Sequence, residues 1–258
     1  MKQITSRENP RFKQFARLAT GRRKDQTLLE GVHLCQEWLR HRGLPVYALF
    51  DLERLQRDPQ VAELLDRLPS DRVAGCEPSL ARRLSQVPEN QGVYFLVEVR
   101  DPKLPAQIGG MSLWLDRVQD PGNLGTLLRT AAAAGIDQAF LSRGCAGAWT
   151  PKVLRSGQGA HFVMGLYEDL DLLALRQKLV VPLIATALDD AVSLYEVALP
   201  VECAWLMGNE GQGVSADLLK LADRRVFIPQ VREVESLNVA AAAAVCLFEH
   251  RRQRLLAL

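Results

Sequence analysis

From residue 111 onward, short unbroken apolar runs alternate with helix-length segments, and this alternation constrains the fold more than any other feature of the chain. The runs are LWLD (Leu113 to Asp116), QAFLS (Gln138 to Ser142), HFVMGL (His161 to Leu166), PLIATAL (Pro182 to Leu188), CAWLM (Cys203 to Met207) and RVFIP (Arg225 to Pro229). Between and after them the spacing predicts helices over Asn123 to Ala134, near Pro151 to Ser156, around Leu170 to Leu179, over Ser215 to Leu221, and from about Leu237 to Leu255. A strand covered on both faces has no polar side, so it reads as a continuous apolar run and not as an alternating one. The expected fold class is therefore α/β, with a mostly parallel sheet covered by helices.

The first part of the chain carries the same alternation on a smaller scale. Segment ENPRFKQFARLAT (Glu8 to Thr20) predicts a helix that stops at Gly21, and TLLEGVHLCQEWLRHRG (Thr27 to Gly43) a second amphipathic helix closed by Gly43. Strand-sized runs follow at VYALF (Val46 to Phe50), RVAG (Arg72 to Gly75) and GVYFLVEV (Gly92 to Val99). RDPKLPAQIGG (Arg100 to Gly110) then has linker composition. The expected organisation is a small α/β domain over 1–100, a linker over 101–110 and a larger domain over 111–258.

Several classes of protein are disfavoured at once. The longest apolar stretches are strand-sized or alanine-rich, so none reads as a membrane span, and the N-terminus has no apolar core of a secretory signal. Five scattered cysteines without a CxxC pair argue against a disulfide framework or a zinc site, which points to a reduced, cytoplasmic setting. The four histidines lack ligand spacing, and there is no Gly-x-Ser-x-Gly elbow, so metal and serine-hydrolase chemistry are not expected. Net charge is only +2, but residues 1–42 hold ten Lys and Arg (among them Arg22, Arg23 and Lys24) against four Asp and Glu. That is either a phosphate-contacting surface or an ordinary solvated face.

Three islands join predicted strands to predicted helices, where an open α/β sheet gathers ligand-binding groups. The first, DPGNLGTLLRTAAAAG, places Asn123 as a candidate helix cap and Arg129 six residues on, among apolar neighbours. Arg129 therefore needs either a salt-bridge partner or a polar cavity. The second, LMGNEGQGVS, is a turn suited to close backbone approach to a ligand; it is neither a Walker A loop nor a GxGxxG fingerprint, and Glu210 within it would repel a phosphate. In the third, IPQVREVESLNVAAAAAV, Ser236 and Asn238 flank Leu237 at the entrance to the last helix, with Ser236 a candidate cap. The alanine runs Ala131 to Ala134 and Ala240 to Ala244 allow close helix packing or a subunit interface.

Together, from about Leu113 to the C-terminus, the three islands resemble the signature motifs of the SpoU (TrmH) branch of the SPOUT RNA methyltransferases. WTPKVLRSGQGAHF (Trp149 to Phe162) resembles a connecting segment of that family, with Gly157 where a Ser is usual and Ser156 one place earlier. ITSRENPRFKQFARL and LLEGVHLCQEWL are similar, less specifically, to an L30e-like substrate-binding domain. The resemblance implies a deep trefoil knot in the larger domain, a topology that ordinary connection rules disfavour. It implies S-adenosylmethionine as cofactor, held near Thr186, Gly208, Ile228 and Leu237, with no metal. It implies methyl transfer to a ribose 2′-hydroxyl of structured RNA, ribosomal RNA in preference to transfer RNA, by a homodimer away from membranes. Transfer RNA as substrate, or a non-catalytic RNA-binding or ribosome-assembly factor with the same fold, is the alternative.

The residues the resemblance implicates are Asn123, Arg129, Glu210, Ser236 and Asn238. A guanidinium stays protonated at working pH, so Arg129 is expected as an electrostatic clamp on phosphate and developing alkoxide, and not as a base. Ser236 and Asn238 are expected to orient the ribose, and Glu210 to position Arg129 or a loop amide.

Overall fold

The computed structural model describes residues 1–21, 25–231, 233 and 236–256, and places them in two compact units. Arg22, Arg23 and Lys24 of the basic cluster lie outside the described residues. The first unit comprises Met1–Asp101 together with Trp149–Phe162, and the second comprises Pro102–Ala148 and Val163–Leu258. The segment assigned from sequence to the larger domain at 149–162 thus packs in the first unit. Within the expected linker, Ile108 is fully buried in the core of the second unit and exchanges backbone hydrogen bonds with Lys178 and Val180.

In the first unit five strands, β1 (Lys2–Ile4), β2 (Gln26–Glu30), β3 (Tyr47–Asp51), β4 (Val73–Cys76) and β5 (Val93–Glu98), form one sheet in the order β1-β4-β3-β5-β2. The helices are α1 (Pro10–Leu18), α2 (Val32–His41), α3 (Leu52–Arg57), α4 (Pro59–Asp66), α5 (Pro78–Leu84) and, from the returning segment, α7 (Pro151–Gly157). The helix expected over Thr27 to Gly43 is two elements. Its first residues pair antiparallel with β5, burying Leu28 and Leu29, and α2 begins only after Gly31, whose φ of 99° belongs to the left-handed region.

The second unit is built on seven parallel strands: β6 (Ser112–Leu115), β7 (Gln138–Ser142), β8 (Gly165–Leu170), β9 (Leu183–Thr186), β10 (Val192–Ser193), β11 (Ala204–Met207) and β12 (Arg224–Phe227). Their order is β10-β12-β9-β11-β6-β7-β8, and every pairing is parallel. Helices α6 (Pro121–Ala133), α8 (Leu172–Leu175), α9 (Ala216–Leu221) and α10 (Val239–Leu256) complete it. Trp114, Trp205, Leu113 and Leu206 on the central strands are wholly buried, as expected of unbroken apolar runs. The run HFVMGL is a correction: His161 and Phe162 end a 3-10 turn in the first unit, and the strand begins only at Gly165. No described helix is long and apolar enough to cross a membrane.

This strand order positions the site. β7 and β8 extend to one side of β6, whereas β9 crosses to the other and β11 fills the place between them. The loops leaving β6 and β11 therefore emerge side by side at the switch point, the position where α/β sheets bind ligands.

Candidate active site

Helix α6 starts two residues earlier than its sequence implies. Asp120 is its N-cap, its carboxylate accepting the Asn123 N–H at 2.8 Å, and Pro121 occupies the first turn, where a missing N–H costs nothing. Asn123 is therefore not the cap, and its side chain is available for longer reach. Its Nδ2 donates to Glu210 at 3.2 Å, and its Oδ1 accepts from Asn238 Nδ2 at 2.9 Å. One side chain from each island thus joins a single chain of hydrogen bonds.

Asn238 also takes the capping role expected of Ser236. Its Oδ1 accepts the N–H groups of Ala240 and Ala241 at 2.9 and 3.2 Å, and its backbone carbonyl accepts from Ala242. Both ends of the Asn238 amide are occupied, so it braces Asn123 against the start of α10. Ser236 and Leu237 are exposed just ahead of it.

Glu210 holds the loop leaving β6. Its carboxylate accepts the N–H of Gln119 at 3.1 Å and of Asp120 at 2.9 Å, in addition to the Asn123 amide. Burial pushes this carboxyl up. The hydrogen bonds from Asp120, from its own N–H, from Asn123 and from Gln119 more than offset that and hold it below its ordinary value of 4.5. Of the two roles expected for Glu210, the geometry provides the positioning of loop amides. Arg129 is exposed on α6 and makes no hydrogen bond or ion pair with any described residue. Six residues along a helix is a rotation of about 240° from Asn123, so the two side chains leave α6 in different directions.

Sequence reasoning missed the residues that shape the second island. Asn209 Oδ1 accepts the N–H of Gly211 and of Gln212, both at 3.0 Å, and its Nδ2 donates to the Arg117 carbonyl at 2.7 Å. Asn followed by Glu-Gly is the readable signal of such an Asx turn. Arg117, in the left-handed region with φ 54°, forks onto buried Asp116 and reaches Gln212 Oε1 at 3.1 Å. Asp116 in turn accepts the Ser215 N–H at 2.9 Å, so the loops after β6 and β11 are tied at several points.

Three of the four positions implicated in cofactor binding lie at the C-terminal ends of three adjacent strands. Thr186 ends β9, while Gly208 and Ile228 directly follow its neighbours β11 and β12. The Thr186 hydroxyl donates to the Leu206 carbonyl at 3.5 Å. A Cβ on Gly208 would lie 2.0 Å from the Gly213 carbonyl carbon, so the backbone of Gly213 and Val214 requires glycine there. Adjacent parallel strand ends with backbone groups and a Cβ-free approach fit a nucleoside-bearing cofactor held through its edges. Ser156 is engaged within its own helix, donating to the Lys152 carbonyl at 2.9 Å, and Gly157 is the buried last residue of α7 in the first unit.

Fold and site define an α/β domain whose polar groups converge beside the C-terminal ends of central parallel strands. Residues 110–248 match the model of the SpoU rRNA Methylase family. The chain belongs to that family. It is 35% identical to the 23S rRNA (guanosine(2553)-2′-O)-methyltransferase RlmP of Bacillus subtilis, over 97% of this chain and 100% of that protein. It also resembles a solved RNA 2′-O ribose methyltransferase, with TM-score 0.83 and 27% identity over 98% of this chain and 99% of that one. An AdoMet-bound rRNA methyltransferase from Sinorhizobium meliloti aligns with TM-score 0.82 and 27% identity over 97% of both chains.

Proposed function

We propose that this protein transfers the methyl group of S-adenosylmethionine to a ribose 2′-hydroxyl of ribosomal RNA, acting as a homodimer in the cytoplasm. The observation that carries this reading is the hydrogen-bond chain Asn238–Asn123–Glu210, which links all three family motifs beside the strand ends bearing Thr186, Gly208 and Ile228. Full-length likeness to RlmP and to the AdoMet-bound enzyme supports both the substrate class and the cofactor.

The bound cofactor supplies an electrophilic methyl sulfonium. The protein's task is then to align the ribose oxygen and stabilise the charge it develops. Glu210 fixes the loop at Gln119 and Asp120 and aims the Asn123 amide, and Asn238 locks that amide from the other side. Glu210 and Asn238 are in this account positioning residues. Ser236 contacts the ribose, and Arg129, exposed on α6, clamps the RNA phosphate in the site of the second subunit. The trefoil knot, the L30e-like character of the first domain and the domain limits 1–100 and 111–258, with 149–162 packed in the first unit and Ile108 in the core of the second, belong to the same proposal.

Incubation with methyl-labelled S-adenosylmethionine and total RNA, followed by nuclease digestion and nucleoside chromatography, tests it. Label is expected in 2′-O-methylnucleosides; label confined to bases would overturn the ribose assignment.

A further inference from the structure

The first unit contains a cavity of about 660 Å³ with a division of labour among its walls. Its floor is made by Trp38 and Trp149, exposed by only 6% and 7%. Both rings are held in place: Trp38 edge-on against Phe162 at 5.3 Å, and Trp149 tilted on His161 at 5.2 Å. The Thr27 hydroxyl donates to the Trp149 carbonyl at 3.0 Å. The rim carries Arg42, Arg72 and Arg100 against one carboxylate, Glu98, which lies 3.9 Å from Arg100.

Two of these arginines are anchored without being used up. Arg42 donates to the His161 carbonyl at 3.4 Å and Arg72 to the Pro45 carbonyl at 3.3 Å. Each contact occupies one of the five N–H donors of a guanidinium and leaves the rest of the fork for an anion. A bare phosphate would need neither an aromatic floor nor this volume, which lies in the range of cavities that enclose a whole small molecule. An aromatic and aliphatic floor under a cationic rim fits a group with a flat apolar part and an attached anion. A nucleotide has that combination.

We infer that this cavity receives one unpaired nucleotide of the RNA, with its base against the Trp38 and Trp149 floor and its phosphates on Arg42, Arg72 and Arg100. The inference rests on the reading that the chain acts on RNA, and it assigns the first unit a discrete readout in addition to diffuse charge. Paired bases are stacked inside a duplex and cannot enter, so the cavity selects a loop, a bulge or an extruded nucleotide.

The test uses the full chain and a fluorescein-labelled single-stranded oligoribonucleotide, with the same strand annealed to its complement as control. Tryptophan emission and fluorescein anisotropy are followed together. The single strand should quench tryptophan emission and outcompete the duplex, and Arg42→Ala/Arg72→Ala should weaken its binding about tenfold or more while leaving the melting temperature near that of the parent. Arg100→Ala supplies an independent variant should the double one unfold. Competition by free nucleoside monophosphate at concentrations equal to those of the oligonucleotide would mean a small-molecule site and overturn the RNA assignment. Unchanged affinity in both variants, or unchanged tryptophan emission at saturation, would overturn the pocket itself. Methyl transfer by the parent reports separately on the proposed function, and the ratio of variant to parent KM for RNA reports on the cavity.

Discussion

At the scale of single residues, Glu210 is the hub of the site, because one exposed carboxylate gathers two backbone N–H groups and the Asn123 amide. Glu210→Gln keeps the shape and removes the charge that those donors share, so kcat/KM should fall about tenfold or more, with S-adenosylmethionine affinity changed much less. Its depressed pKa gives a second check. The stabilisation it provides is complete above the ordinary carboxyl value of 4.5 and is lost as pH falls through the lower folded value. Denaturant unfolding from about pH 6 to about pH 3.5 should lose stability more steeply in the parent than in Glu210→Gln. Gly208→Ala places a Cβ 2.0 Å from backbone, so the turn must shift; calorimetry should show loss of cofactor binding even where the variant folds. The importance of Asn123, Glu210 and Asn238 was legible in the sequence, but their division of work was not. Caps compete locally: Asp120 and Asn238 both outdid the residues chosen from sequence, because Asp120 sits directly before Pro121 and Asn238 directly before the helical backbone.

At the scale of elements, α10 is fixed to the sheet by buried His250. Trp205 Nε1 donates to His250 Nδ1 at 3.0 Å, and His250 Nε2 donates to the Pro200 carbonyl at 2.7 Å. Both bonds require the neutral ring with its proton on Nε2. Burial lowers its pKa below the ordinary 6.5, the Pro200 hydrogen bond acts in the opposite direction, and Arg254 adds to the lowering. The unfolded chain then takes up the proton first, so this contribution is complete above about pH 6.5 and falls as the solution is acidified towards the folded value. Unfolding free energy should drop between about pH 7.5 and about pH 5.5, and His250→Phe should flatten that slope while costing about 1–3 kcal/mol at the upper end for the stranded Trp205 donor. Element positions were most legible where strands are central: Gln138–Ser142 was read residue for residue. They failed at sheet edges. β2 pairs on one side only, and its Leu-Leu pair suits helix and strand equally, so Gly31 decides the boundary. β8, an edge strand of the second unit's sheet, has partly exposed residues, and the apolar run that leads into it begins with His161 and Phe162 in the first unit.

At the scale of the whole molecule, the proposed role of Arg129 is what asks for a second subunit. It is exposed and makes no hydrogen bond or ion pair with a described residue, as expected of a side chain that serves a second subunit. Arg129→Ala should retain cofactor binding and lose at least about 3 kcal/mol of transition-state stabilisation. Co-expressing Arg129→Ala with Asn123→Ala should recover about a quarter of parental activity, since in a mixed dimer one site keeps both residues. Recovery no greater than the sum of the two separate variants would place Arg129 in its own chain's site or outside the mechanism. The order of the islands along the chain was enough to read the family, because strand ends near one another in a parallel sheet need not be near in sequence, and β11 was assigned its neighbours only by the fold. Mass spectrometry of ribosomal RNA from cells lacking the protein decides whether the linked motifs form a ribose methyltransferase site for ribosomal RNA. One 2′-O-methylnucleoside should disappear, return with the parent gene and stay missing with Asn123→Ala; an unchanged set of 2′-O-methylnucleosides in the deletion, or full restoration by Asn123→Ala, would contradict the account.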